Sequence, residues 1–153
     1  MKPTNEMTVS FLSCSSNEAF GRSAVAAFVA QLDPTIDELS DIKTAVSEAV
    51  TNCIVHAYRN TIGIVYINCK LYDNGKITIK IRDKGCGIED VAQAMQPLFT
   101  TSDDERAGLG FAVMESFMDK LKVSSKLGHG TCIIMHKTIE RRTVTMIKAK
   151  AAE

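Results

Sequence analysis

Residues 44–58 read Thr44-Ala45-Val46-Ser47-Glu48-Ala49-Val50-Thr51-Asn52-Cys53-Ile54-Val55-His56-Ala57-Tyr58. Through this stretch and just ahead of it, apolar residues recur at helical spacing: Ile36, Leu39, Ile42, Val46, Ala49, Val50, Cys53, Ile54 and Ala57. Such a stripe turns one side of a helix toward a core. Glu48, Asn52 and His56 fall four apart and form a polar row beside it. A carboxylate and an amide one turn apart can hold a proton and a hard cation side by side, because Mg²⁺ takes oxygen ligands. Read alone, the row fits an ordinary amphipathic helix with solvated polar residues better than a cation site, and it is the glycine motifs downstream that reverse this.

Working outward, Thr35 with Glu38 forms a capping-box pattern that opens this helix, after the break at Asp33-Pro34. The preceding helix is expected from Ser15 or Ser16, as cap, to about Leu32. Its core side is expected to carry Phe20, Ala24, Ala27, Phe28 and Leu32, with Glu18 and Arg22 off that side. Met7 to Leu12 alternates loosely and reads as a strand.

Downstream, Val65, Ile67, Cys69 and Leu71 share one parity and Tyr66, Asn68 and Lys70 the other. After the turn signal Asp73-Asn74-Gly75, Ile77, Ile79 and Ile81 alternate with Thr78, Lys80 and Arg82. Both strands bury one face and leave the other polar, which places helices on one side only. The fold class is α/β: a two-layer sandwich whose mixed, mostly antiparallel sheet carries helices on one face. Asp83 has the parity of the isoleucines, so a carboxylate stands at the strand end on the face toward the helices. It needs a donor there, from a bound ligand or from an Asx turn into Gly85.

Lys84 to Ala107 breaks the pattern, with helix expected around Glu89 to Met95; a segment this long between regular elements is often a functional lid. Gly108-Leu109-Gly110-Phe111 opens a helix through Met118, and glycines at a helix start let phosphate approach the backbone N–H groups. Leu121 to Ser125 and Thr131 to Lys137 read as strands around the turn Gly128-His129-Gly130. The reading gives one domain over residues 1–139 and a basic, mobile tail over 140–153.

The 153 residues are 45% apolar and 24% charged, with eighteen basic and eighteen acidic residues. That balance gives no support to a general nucleic-acid or membrane surface. No stretch approaches the roughly 20 apolar residues of a membrane helix, and no signal peptide is evident. The five cysteines include no C-x-x-C pair. They read as free thiols in a reducing cytoplasm.

Four motifs in order carry a family resemblance. Glu48-x-x-x-Asn52-x-x-x-His56-Ala57 resembles the N-box of the GHKL ATPases, the superfamily of gyrase and the sensor histidine kinases. Asp83-x-Gly85-x-Gly87-Ile88 resembles their first glycine box, Gly108-Leu109-Gly110-Phe111 the second, and Gly128-x-Gly130-Thr131 the third. The resemblance covers Met7 to about Lys137 and implies the Bergerat fold. Residues 26–35, 47–52, 96–101 and 114–119 are further similar to the small sporulation serine kinases that act as anti-sigma factors. That resemblance implies ATP and Mg²⁺ as cofactors, a homodimer, the sporulation sigma F factor as partner, and a serine of the anti-anti-sigma factor as substrate.

Carried over by residue, Glu48 is implied as general base and Asn52 as Mg²⁺ ligand. Asp83, supported by Thr131, is implied to take the adenine amino group. Gly85 and Gly87 are implied along the base, Gly108 and Gly110 at the phosphates with Arg106 at the terminal one, and Ile88, Leu109 and Phe111 as further ATP-binding residues. Glu18 and Arg22 are the candidate partner contacts. Ser102 stands where the resemblance leads one to expect Lys, which shifts lid contact onto Arg106. Other readings are the same fold serving a stress-response sigma factor, a detached histidine-kinase domain, and a non-catalytic ATP-gated binding module. None of His56, His129 and His136 has the setting of a phosphorylated histidine.

Overall fold

The computed structural model describes residues 1–96 and 104–140, with the surroundings of residues 104–108 excepted. The chain runs through β1 (Asn5–Leu12), α1 (Asn17–Val29), a 3₁₀ turn (Ala30–Leu32), α2 (Ile36–Thr51), a π-helical segment (Asn52–Ala57), β2 (Ile64–Leu71), β3 (Lys76–Arg82), α3 (Val91–Ala94), α4 (Asp104–Phe117), β4 (Lys120–Lys126) and β5 (Gly130–Thr138). The strands form one sheet in the order β1-β2-β3-β5-β4, and each neighbouring pair is antiparallel.

Strand parity decides which side chains enter the core. Ile67, Ile81 and Ile133 lie side by side across the three central strands, as do Cys69, Ile79 and Met135, all buried. Buried Ile42, Ala45, Val46, Ala49 and Val50 of α2 complete the apolar layer with Val25 and Val29 of α1 and Met114 of α4. Alternate strand residues face away from the helices, as expected for two layers. The expected capping box is present: Glu38 N–H donates to Thr35 Oγ1 at 3.1 Å, and Thr35 N–H to Glu38 Oε1 at 2.9 Å.

Four local expectations are corrected. Helix α4 begins at Asp104, not at Gly108, so Gly108 and Gly110 lie within the helix and not at its start. The buried side of α1 is Gly21, Val25 and Val29; Phe20 and Ala27 are exposed. Gly21 is the cause, since a Cβ there would meet the Phe11 ring at 2.9 Å and Ile67 at 3.3 Å. The helix therefore seats its glycine on the sheet, and Phe20 moves to the rim, edge-on to Phe11 at 5.7 Å. Ile36, placed on the core stripe by periodicity, is 88% exposed because it opens α2 before the helix reaches the sheet. Ser16 occupies the cap position of α1 without a side-chain cap bond. The tail from residue 141 lies outside the described residues, and Glu140 N–H reaches Glu38 Oε2 at 3.4 Å.

Thr35→Ala removes one half of the box and leaves the Glu38 N–H without its side-chain acceptor. It is expected to lower stability by about 0.5–2 kcal/mol, read as a shift in the urea midpoint at constant slope.

Candidate functional site

Helix α2 ends as an α-helix at Thr51, and the backbone continues as a π-helix from Asn52 to Ala57. The Tyr58 N–H donates to the Cys53 carbonyl at 3.2 Å, the i→i+5 bond of that geometry. The periodic pattern did not foresee this widening. It begins at the residue that carries the amide of the polar row.

The segment ends on Tyr58, which is buried. The Tyr58 hydroxyl donates to the Ile64 carbonyl at 2.8 Å and accepts from Lys84 N–H at 2.7 Å. Gly63 packs against the Tyr58 ring so closely that a Cβ would overlap it. Cys86 N–H donates to the Ala57 carbonyl at 3.0 Å, and Gly85 lies against the same peptide with no space for a side chain. The loop after β3 is thus clamped onto the end of the π-helix.

At the head of that loop stands Asp83, 5% exposed. Its Oδ1 accepts from Gly85 N–H at 2.9 Å, the expected Asx turn, and from Thr131 N–H at 3.2 Å. The Cys53 thiol also donates to the carboxylate. Burial pushes the Asp83 pKa above the ordinary carboxylate value, and these three donors offset part of the rise. Burial, with the Asp83 charge beside it, raises the Cys53 thiol well above its usual value and keeps it protonated as a donor. Beyond Asp83, Ile88 N–H donates to Ser125 Oγ at 2.7 Å, and Ser125 Oγ lies 2.8 Å from Thr131 Oγ1.

These elements enclose a cleft of about 970 Å³. Asn52, Asp83, Gly87, Ile88, Phe111 and Thr131 line it on the fold's side, and residues from Glu89 to Gln96, including α3, form the opposite wall. Asp90 caps α3 through Gln93 N–H at 3.1 Å, so helix forms where it was expected. Gly85 and Gly110 sit behind the lining. A Cβ on Gly110 would lie 3.2 Å from Glu48 Oε2 and 3.3 Å from Asn52 Oδ1, so α4 crosses α2 at those two polar groups. Asn52 Nδ2 is buried with no hydrogen-bond partner. Leu109 is 54% exposed. The side chain of Arg106 and the surroundings of Gly108 lie outside the described residues, as does Ser102.

Glu48 belongs to a second, shallower groove of about 460 Å³ between α1 and α2, shared with Arg22, Ile36, Leu39, Lys43 and Ser47. Ser47 Oγ donates to Glu18 Oε1 at 2.5 Å, and Arg22 Nε lies 3.9 Å from the same oxygen. Glu18 and Arg22 are therefore neighbours of Glu48, not residues of a remote side. Tyr58, Cys53 and Ser125 were missed as site residues. Nothing local distinguishes them, because each acts on backbone or side chains distant in sequence.

A buried carboxylate at a strand end, an amide lacking a partner and glycines at three close approaches suit an ATP-binding cleft of the histidine kinase-like class. Residues 17–137 match the histidine kinase-like ATPase domain family. The RsbU and RsbW domains of Rv1364c from Mycobacterium tuberculosis share the fold at a TM-score of 0.66 and 16% identity, over 90% of this chain and 33% of that longer one. The mycobacterial sensor histidine kinase MprB does so at 0.55 and 16%, over 90% and 99%. An anti-sigma F factor of Caldanaerobacter subterraneus is 61% identical over 142 residues, 92% of this chain and 99% of that protein. Another, from Clostridium beijerinckii, is 56% identical over 135 residues, 87% and 94%. The chain belongs to the anti-sigma F factor family.

The raised Asp83 pKa has a stability consequence. A carboxyl that holds its proton more tightly when folded favours the fold below its ordinary pKa and loses that contribution as pH rises through the raised value. Asp83→Asn removes the titration and keeps an acceptor for Gly85 and Thr131. In the nucleotide-free chain it is expected to raise the urea midpoint at pH 7, with the gain shrinking as pH falls toward 4. Equal midpoints at both pH values would refute the assignment.

Proposed function

We propose that this protein is an ATP-dependent serine kinase of the cytoplasm that binds and inhibits the sporulation sigma F factor and phosphorylates a serine of the anti-anti-sigma factor. Family membership supports the sigma partner. The observation that carries the kinase reading is the place of Glu48. It shares the groove between α1 and α2 with Arg22, and across Gly110 it adjoins Asn52, which lines the nucleotide cleft. One carboxylate thus stands between a site for ATP and a surface open to a protein hydroxyl. The resemblance to the small anti-sigma kinases further implies a homodimer.

In this reading Asp83 accepts from the adenine amino group, and Thr131, held by Ser125, closes that end. The partnerless Nδ2 of Asn52 donates to a phosphate oxygen, and its Oδ1 ligates the cation. Among the described residues no cluster of three acidic, His or Cys groups could hold a metal. Mg²⁺ would come with the nucleotide, as that ion commonly does, and neutralise phosphate charge. Glu48 takes the proton of the incoming serine hydroxyl. The serine oxygen bonds to the γ-phosphorus, the bond from that phosphorus to the bridging oxygen breaks, and ADP leaves with the electron pair. Positioning and charge neutralisation supply most of such a reaction.

Glu48→Gln keeps size and helix propensity. ATP affinity by calorimetry is expected to stay near wild type, while transfer to the anti-anti-sigma factor falls by about 10²–10⁴-fold. Undiminished transfer would remove Glu48 as the base; collapse of ATP affinity would assign it to the metal shell.

Arg22→Ala is expected to weaken capture of sigma F and of the anti-anti-sigma factor by at least tenfold and to spare ATP binding. Arg is favoured at the centres of interfaces, and its partner Glu18 stays tied to Ser47. Wild-type pull-down of both proteins would reduce the pair to a surface ion pair.

A further inference from the structure

The net charge of zero conceals a segregation of charge. Pairing register places Glu6, Lys70, Thr78, His136 and Lys120 in one row across the sheet, and Thr8, Asn68, Lys80, Ile134 and Lys122 in the next. These rows face away from the helices. The outward positions of the five strands carry seven of the chain's eighteen cations, with Lys76, Arg82 and Lys126 completing the set, and one acid, Glu6, 4.0 Å from Lys70. Lysine on an edge strand guards against unwanted pairing, which accounts for β4. It does not account for Lys80 and Arg82, both exposed on β3, the middle strand.

We propose that this outward face docks the phosphate backbone of duplex nucleic acid, without reading sequence. Strand lengths and spacing make it roughly 25 by 20 Å, about the width of a double helix. Protein interfaces are depleted in lysine and centre on buried aromatic or apolar anchors. Here Tyr66 is covered by Arg82 at 4.8 Å and Lys84 at 5.4 Å. That covering also removes the open stacking platform on which single strands rely. A flat lipid surface fits poorly, because strands in a sheet rotate by about 20–25° from one to the next and the lysine tips follow a saddle. Lysine point charges neutralise phosphates without discriminating bases.

The test is fluorescence anisotropy of a labelled 20-base-pair duplex titrated with the full chain. Saturable binding is expected at 50 mM salt, weakening about a hundredfold or more by 200 mM, as several released counterions require. Lys80→Glu with Lys122→Glu is expected to weaken binding at least tenfold and to flatten the salt slope. Lys80→Gln with Lys122→Gln, expected to fall between the two, serves if the reversal does not fold by circular dichroism. Absence of binding at 50 mM salt, or wild-type binding by a folded variant, would overturn the proposal. So would binding to poly-glutamate or to phosphatidylserine vesicles in place of the duplex.

Discussion

A buried carboxylate needs donors, and the arrangement around Asp83 supplies them from three directions. Gly85 and Thr131 give backbone N–H groups and Cys53 gives its thiol. Each comes from a different segment: the loop after β3, the first residues of β5 and the π-helix after α2. Moving any one of the three would leave a charge in the core with too few partners, at a cost that grows steeply with burial. The inward positions of β3 are otherwise isoleucine. Asp83 is the place where the chain breaks its own apolar pattern, as functional sites commonly do.

The π-helix converts that demand into a rigid cleft wall. Beyond Asn52 the helix widens, and its final carbonyl groups turn to the loop: Ala57 accepts from Cys86 N–H, and His56 from the Cys86 thiol. Tyr58 then ties the loop to the start of β2 through two bonds under 3 Å. Asn52 is fixed at the junction of the two helical geometries, with Gly110 admitting α4 against it. The wall is thus held by backbone hydrogen bonds and by absent side chains. The facing wall, from Glu89 to Gln96, is mostly half-exposed or exposed and carries only the single turn of α3.

Much of this was legible in the sequence because it rests on local rules. The alternation of Val65 to Leu71 and Ile77 to Ile81 predicted the layering, and parity alone placed Asp83 on the helical side. Thr35 and Glu38 predicted a cap that the hydrogen bonds reproduce. Failures arose where a tertiary contact overrode a local one. Gly21 has no hydrophobicity to report, yet its missing side chain rotates α1 onto the sheet and turns Phe20 outward. Ile36 belongs to the stripe by spacing and to solvent by position. A change from i→i+4 to i→i+5 bonding leaves no mark on apolar spacing over six residues. Tyr58 and Ser125 show their roles only through groups brought near by folding.

The two faces of β3 are coupled by register. Strand side chains alternate, so a slip of one residue would exchange every inward group for an outward one. Asp83 would leave the cleft and Arg82 would enter the core. Two features oppose that slip. The isoleucines of β3 interlock with Ile67 and Cys69 on one side and Ile133 and Met135 on the other. At the far end the hairpin closes through Gly75, whose φ of +88° favours glycine, and through Asn74 Oδ1, which accepts from Lys76 N–H at 3.0 Å. Gly75 also packs on the Ile139 carbonyl and accepts from Ile139 N–H at 2.9 Å, which fastens the end of β5 to the same turn. A turn roughly 25 Å from the cleft, at about 3.3 Å per residue, therefore decides which face of the sheet holds the carboxylate and which holds the lysines.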